Sequence, residues 1–148
     1  MFLNWTIRRL VAIGEGRLDA KYLRIDYTSM GGSPWTADIR MTLRRRRTVY
    51  RSRCAADVMG QQGGQPNWLV LSDDHLEGRE IQNIANRIVA DKLWTLEIND
   101  RHHLADEQTA SLTIGTGWGS GFYLGGPAGE FISGGLSAVV GPLRKVSR

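Results

Sequence analysis

The sequence predicts an α+β fold, a mainly antiparallel sheet of about five strands with one amphipathic helix packed on it. Three observations predict it. Several short segments alternate apolar and polar residues with the period of two of half-buried strands. One segment, Leu76 to Val89, carries an apolar stripe at helical spacing. A parallel α/β arrangement would need more helices than the sequence offers. The 148 residues are read as a single domain spanning 1–148, long enough to bury a core without a disulfide or a metal. Hydrophobic residues at 41% and charged residues at 23% exclude wholesale disorder.

The elements follow in chain order. From Phe2 to Ile13, helical spacing of Leu3, Ile7, Leu10 and Val11 fits better than strand alternation, and Gly14 suits the stop. Lys21 to Thr28 reads as a strand with Leu23, Ile25 and Tyr27 on one face and Tyr22, Arg24 and Asp26 on the other. Ser29 to Pro34 is a turn or loop. Trp35 to Leu43 is a second strand, with Ile39, Met41 and Leu43 inward and Asp38, Arg40 and Thr42 outward. Its alternation breaks at Arg45, so the strand ends, bulges or turns there and Arg44 to Arg47 sit at an exposed tip or edge. Gly60 to Asn67 is a loop, and Trp68 to Leu71 a short strand suited to burial on both faces. In the helix that follows, Leu76, Ile81, Ile84, Ala85, Ile88 and Val89 form the stripe, and Asp74 with Glu77 resembles a capping box. Leu93 to Asn99 is a strand that aligns Trp94, Leu96 and Ile98, and a turn follows to His103.

The last third is unlike the rest. From Gln108 to Leu143 the only charged residue is Glu130, and ten residues are glycine. Read with a period of two, residues 112 to 124 place Leu112, Ile114, Thr116, Trp118, Ser120, Phe122 and Leu124 on one face. The other face is bare at Gly115, Gly117, Gly119 and Gly121. Glycine is costly inside a strand, so the segment is either a flexible glycine-rich loop or a strand whose bare face has something close against it: the chain's own helix, or a partner. A partner would touch Gly115, Gly117, Trp118, Gly119, Gly121 and Phe122. No register of these glycines satisfies G-x-G-x-x-G, and no phosphate-binding G-x-x-x-x-G-K-[ST] occurs. The string Gly119-Ser120-Gly121-Phe122 resembles the Gly-Ser-Gly-Phe strand of trypsin-like proteases over those few residues only. No histidine follows His103, so no catalytic role carries over.

Net charge is +4 and the pI about 9.6, which favours acidic partners. The charge is concentrated. Arg40, Arg44, Arg45, Arg46, Arg47, Arg51 and Arg53 crowd the stretch from Trp35 to Arg53, whose only acid is Asp38 and which also holds the rings of Trp35 and Tyr50. Arginine binds phosphate bidentately and stacks on rings, so the cluster suits a nucleic-acid backbone or an acidic protein; a solvated edge that resists aggregation has the same composition. Other candidates carry less. Ser72-Asp73-Asp74-His75 fits a helix start, where acids are stabilised without any catalytic role. The adjacent His102 and His103 and the single Cys54 match no zinc spacing. Neither a cofactor nor a small-molecule substrate is indicated, and no segment has the length and apolarity of a membrane span. One cysteine fits a reducing compartment and no secretory pattern opens the chain, so the expected location is cytoplasmic, of a host or within a virion.

Two functions are expected on this basis. The first is a non-catalytic structural or interaction subunit of a larger assembly, of the kind a virus or mobile element encodes, docking on a protein partner or on itself through the glycine-rich third. The alternative is a nucleic-acid-binding module that contacts phosphates through Arg44 to Arg47.

Overall fold

The computed structural model describes residues 2–31, 35–54, 56, 67–96, 108–117, 121–131 and 136–144. Helix α1 (Phe2–Gly14) leads through a 3-10 turn at Ala20–Tyr22 into β1 (Leu23–Met30), β2 (Asp38–Arg44), β3 (Arg47–Arg53) and β4 (Leu69–His75). Helix α2 (Gly78–Ala90), β5 (Thr109–Thr116), β6 (Gly121–Pro127) and the one-turn α3 (Ser137–Val140) follow. The strands form one sheet in the order β4-β3-β2-β1-β5-β6, and every neighbouring pair is antiparallel. The fold is therefore α+β as expected, with six strands in place of about five and two further α-helices among the described residues.

Alternation in β1 organises the molecule. Ile25 lies level with Leu43 and Ile114, and Tyr27 with Met41 and Leu112, so the middle of one face of the sheet is apolar. Leu10 and Ile13 of α1, Ile81, Ile84 and Ile88 of α2, and Val139 and Val140 of α3 all pack into that core. The helices thus cover one face, and among the described residues none packs on the other.

The helix ends follow from local chemistry. Helix α1 stops in a left-handed glycine cap, but at Gly16 (φ +78°) instead of Gly14. Gly16 N donates to Ile13 O at 3.0 Å and Arg17 N to Ala12 O at 2.8 Å, which satisfies two carbonyls of the last turn. Gly14 has a separate task. A Cβ there would collide with the Asn86 side-chain amide, whose Nδ2 donates to Gly14 O at 3.1 Å, so its bareness lets α1 close on α2. Helix α2 has a capping box, shifted to Glu77 and Glu80 from the expected Asp74 and Glu77. The shift arises because residues 72–75 extend β4, with His75 paired to Arg47.

Three further expectations are corrected. Strand β4 is an edge strand, so Leu69, Val70 and Leu71 are 59%, 57% and 56% exposed instead of buried on both faces. Leu93–Thr95 is a 3-10 turn that buries Leu93, not the start of a strand. Residues 112–124 are not one strand. Strand β5 ends at Thr116, Gly117 adopts φ +112°, and β6 begins at Gly121, which pairs back to Gly115. The chain reverses without changing parity, so Leu112 and Ile114 still share the core face with Phe122 and Leu124. The expected loop at residues 60–66 and the turn holding His102 and His103 lie outside the described residues. No helix among the described residues is long and apolar enough to cross a membrane.

Candidate nucleic-acid interface

Because side chains alternate along each strand, the face opposite the core collects the residues that the alternation turned outward. Near the β2–β3 turn, Arg47 pairs across to Arg44, and Arg24 sits on the next strand, opposite Gly115. A second row sets Arg51 beside Arg40, Thr28 and Ser111. A third sets Arg53 beside Asp38. Between the first two rows run Asp73, Val49, Thr42, Asp26, Thr113 and Tyr123. The face therefore gathers Arg24, Arg40, Arg44, Arg47, Arg51 and Arg53 against the carboxylates of Asp26, Asp38 and Asp73.

The turn at its edge is built against local preference. Arg45 (φ +50°) and Arg46 (φ +67°) form a two-residue hairpin loop with both residues left-handed, a conformation that favours asparagine and glycine and costs other residues roughly 1–2 kcal/mol each. Arg44 and Arg47 stand directly opposite each other, a like-charge pair that is also unfavourable. Two contacts offset part of this. Arg46 is tied to the entrance of α2, its Nε donating to Leu76 O at 3.2 Å while its carbonyl accepts from Leu76 N at 2.7 Å. Arg47 grips Asp73 through two hydrogen bonds, Nε to Oδ1 at 2.7 Å and Nη2 to Oδ2. That grip holds the Asp73 carboxyl below the ordinary carboxylate range and pushes the Arg47 guanidinium up, the hydrogen bonds being the larger cause in both. Arg44 and Arg45 are exposed and form no ion pair among the described residues.

Further from the turn the charges balance. Arg40 Nη2 lies 2.9 Å from Asp26 Oδ2, and that hydrogen bond raises the Arg40 pKa against the opposing effect of burial. Arg53 Nε lies 3.0 Å from Asp38 Oδ2, and its guanidinium stacks 4.3 Å from the centre of the Trp68 ring. These pairs flank a shallow groove of about 370 Å³, whose lining also includes Thr28, Met30, Ser111 and Thr113. In it Thr28 Oγ1 and Ser111 Oγ share a hydrogen bond of 2.7 Å.

The arginines named from the sequence are thus brought together, apart from Arg45 and Arg46, which cap the hairpin end. Of the described glycine-rich candidates, Gly115 and Gly121 pair directly with each other, whereas Phe122 faces the core side. Gly115 is on the open face, but a Cβ there would lie 3.0 Å from Arg24 Nη2. Gly117 is a turn residue under Arg9, whose Nη2 would lie 3.1 Å from a Cβ and whose Nε donates to Thr116 O at 2.7 Å. Gly121 is packed on the backbone of β5, where a Cβ would overlap Ile114 O. Phe122 faces the core side, edge-on to Trp94 with ring centres 6.4 Å apart. Trp118 and Gly119 lie outside the described residues. The space left by the missing side chains at Gly115, Gly117 and Gly121 is therefore taken up by the same chain.

Sequence reasoning left Arg24, Trp68 and Tyr123 out of the site. Arg24 and Tyr123 were on the outward positions of their segments, but only the pairing of β1 between β2 and β5 shows that these positions adjoin the arginine cluster. Among the described residues no group of three or more His, Cys, Asp and Glu side chains could hold a metal. Comparison with known proteins finds no match: no family model fits the chain, and no curated protein sequence and no solved structure is similar to it.

Proposed function

We propose that this chain is a nucleic-acid-binding module that holds phosphates on the open face of its sheet. One observation carries the reading: Arg44 and Arg45, exposed and without an ion pair among the described residues, share a strained turn with Arg46 and Arg47 at the end of an arginine row. A surface needed only for solubility has no use for a left-handed Arg-Arg turn or an Arg-Arg cross-strand pair. A phosphate backbone relieves the repulsion and uses the forked donors of arginine. Every cation paired into this face is arginine, and arginine suits planar, bidentate anion recognition better than lysine does.

The test is the salt dependence of binding to a fluorescent oligonucleotide. With about four phosphate contacts to a single strand, log affinity falls against log salt with a slope near −2.8. Replacing Arg44, Arg45 and Arg51 together with serine flattens the slope by about two and weakens binding at least about tenfold. A slope and affinity unchanged by the triple replacement would remove the proposal.

A second reading, a subunit of a larger assembly, is favoured by a different feature: β4 ends the strand order among the described residues, with Leu69, Val70 and Leu71 more than half exposed. Open edges invite pairing with another chain. It predicts a defined oligomer in sedimentation that Val70→Lys dissociates, and a monomer at all concentrations contradicts self-association.

A further inference from the structure

We infer that the nucleic acid taken by this face is single-stranded, with unpaired bases stacked on Tyr123 and seated in the groove beside Trp68. The inference rests on the phosphate-binding reading and adds the form of the ligand.

Steric geometry argues first. A two-stranded ribbon can enter the major groove of a duplex, which is about 12 Å wide. Here the arginine hairpin is no free ribbon. Strand β2 is paired along Ile39–Leu43 to β1, and β3 is paired along Arg47–Ser52 to β4, so only Arg45 and Arg46 project. A sheet of six strands at about 4.8 Å spacing is roughly 24 Å across and cannot follow the hairpin into a groove. It offers instead an open surface on which a strand with splayed bases can lie.

The distribution of charge argues second. Asp26 and Arg40 of the groove lining pair with each other, and Arg53 of the lining is matched by the neighbouring Asp38. A phosphate gains little there, whereas a neutral base does not disturb the pairs. The excess positive charge lies toward the turn, at Arg44 and Arg45. Phosphates and bases therefore have separate places on one face.

The rings argue third. Tyr123 is 66% exposed and stands on the open face of the sheet. A Cβ at Gly125, the next residue on that face, would lie 2.6 Å from Tyr123 Oη and 3.0 Å from its Cε1 and Cζ. The phenol thus reaches over the bare glycine, while most of the residue stays exposed. Covering the glycine accounts for one contact of the ring; its exposed part is the stacking platform of this inference. It stands opposite Thr113, which lines the groove, so platform and groove adjoin. The Trp68 indole is held at the groove by Arg53, itself fixed by Asp38.

Three probes test this by fluorescence anisotropy: an oligothymidylate of about twelve nucleotides, an abasic strand of the same length, and a duplex of that length. The wild type is expected to bind oligothymidylate about tenfold tighter than either other probe. Tyr123→Ala is expected to lose about tenfold for oligothymidylate and nothing for the abasic strand, because stacking is lost and phosphate contact is not. Tyr123→Phe keeps the ring and keeps the affinity. Equal binding of duplex and single strand, no loss in Tyr123→Ala, or an equal loss for the abasic strand overturns the inference. If those results come with binding that still falls on replacing Arg44, Arg45 and Arg51, the phosphate reading survives alone. If no probe binds in a salt-dependent way, both fail.

Discussion

At the scale of single residues the turn arginines set the terms. Asparagine suits position 45 of the hairpin better than arginine, since it tolerates the left-handed conformation and carries no charge to repel Arg44. Arg45→Asn is therefore expected to stabilise the protein by about 1 kcal/mol, read from the urea midpoint, while weakening its binding to polyanions. A variant that loses stability would show that Arg45 has a structural role. The opposite case is Asp73, whose carboxyl is held below its ordinary value near 3.8 by the Arg47 hydrogen bonds. For a depressed carboxyl the unfolded chain binds the proton more tightly. Its stabilisation is thus complete above about pH 3.8 and is lost as pH falls through the lower folded value. Carbon-detected titration by NMR is expected to give Asp73 a midpoint below 3.8, and Arg47→Ser is expected to move it up. The pair is exposed, so its loss changes overall stability little.

At the scale of elements, the glycines of the β5–β6 hairpin separate by what they touch. Gly121 meets the Ile114 carbonyl, which is backbone and cannot give way, so Gly121→Ala is expected to cost about 1–3 kcal/mol in urea unfolding. Gly115 meets only the far end of the flexible Arg24 side chain, so Gly115→Ala is expected to cost far less. Similar losses at both sites would mean that the hairpin is not packed as described. These two glycines also explain what was legible in the sequence. Strands β1 and β2 and helix α2 were readable because their periods are local: Ile25 and Tyr27, Met41 and Leu43, and Ile81, Ile84 and Ile88 each declare a face within a few residues. The reversal after Thr116 was not readable, because a turn that conserves parity leaves the period of two intact. Nor does the run Leu69-Val70-Leu71 reveal whether it lies mid-sheet or at an edge, since that depends on how distant strands assemble.

At the scale of the whole molecule, the site exists only because of the strand order. The arginine cluster occupies β2 and β3, while Thr113, Gly115 and Tyr123 come from the hairpin at the other end of the sequence. Strand β1 lies between them and contributes Arg24 and Asp26, so two features that look unrelated along the chain become halves of one surface. With all described helices on the core side, the other face of a six-stranded sheet faces outward among the described residues. Arginine there keeps sheets from stacking and also presents forked donors to an anion. The two roles differ in one respect: only the second requires the guanidinium groups of this face to meet a ligand directly. Arginine Nε–Hε signals report that contact residue by residue, and the helices supply internal controls in Arg8, Arg79 and Arg87. Titrating labelled protein with oligothymidylate is expected to shift the Nε–Hε signals of Arg24, Arg40, Arg44 and Arg51 and to leave those of Arg8, Arg79 and Arg87 in place. Shifts confined to the helical arginines, or none at saturating oligonucleotide, would contradict a nucleic-acid interface on the open face.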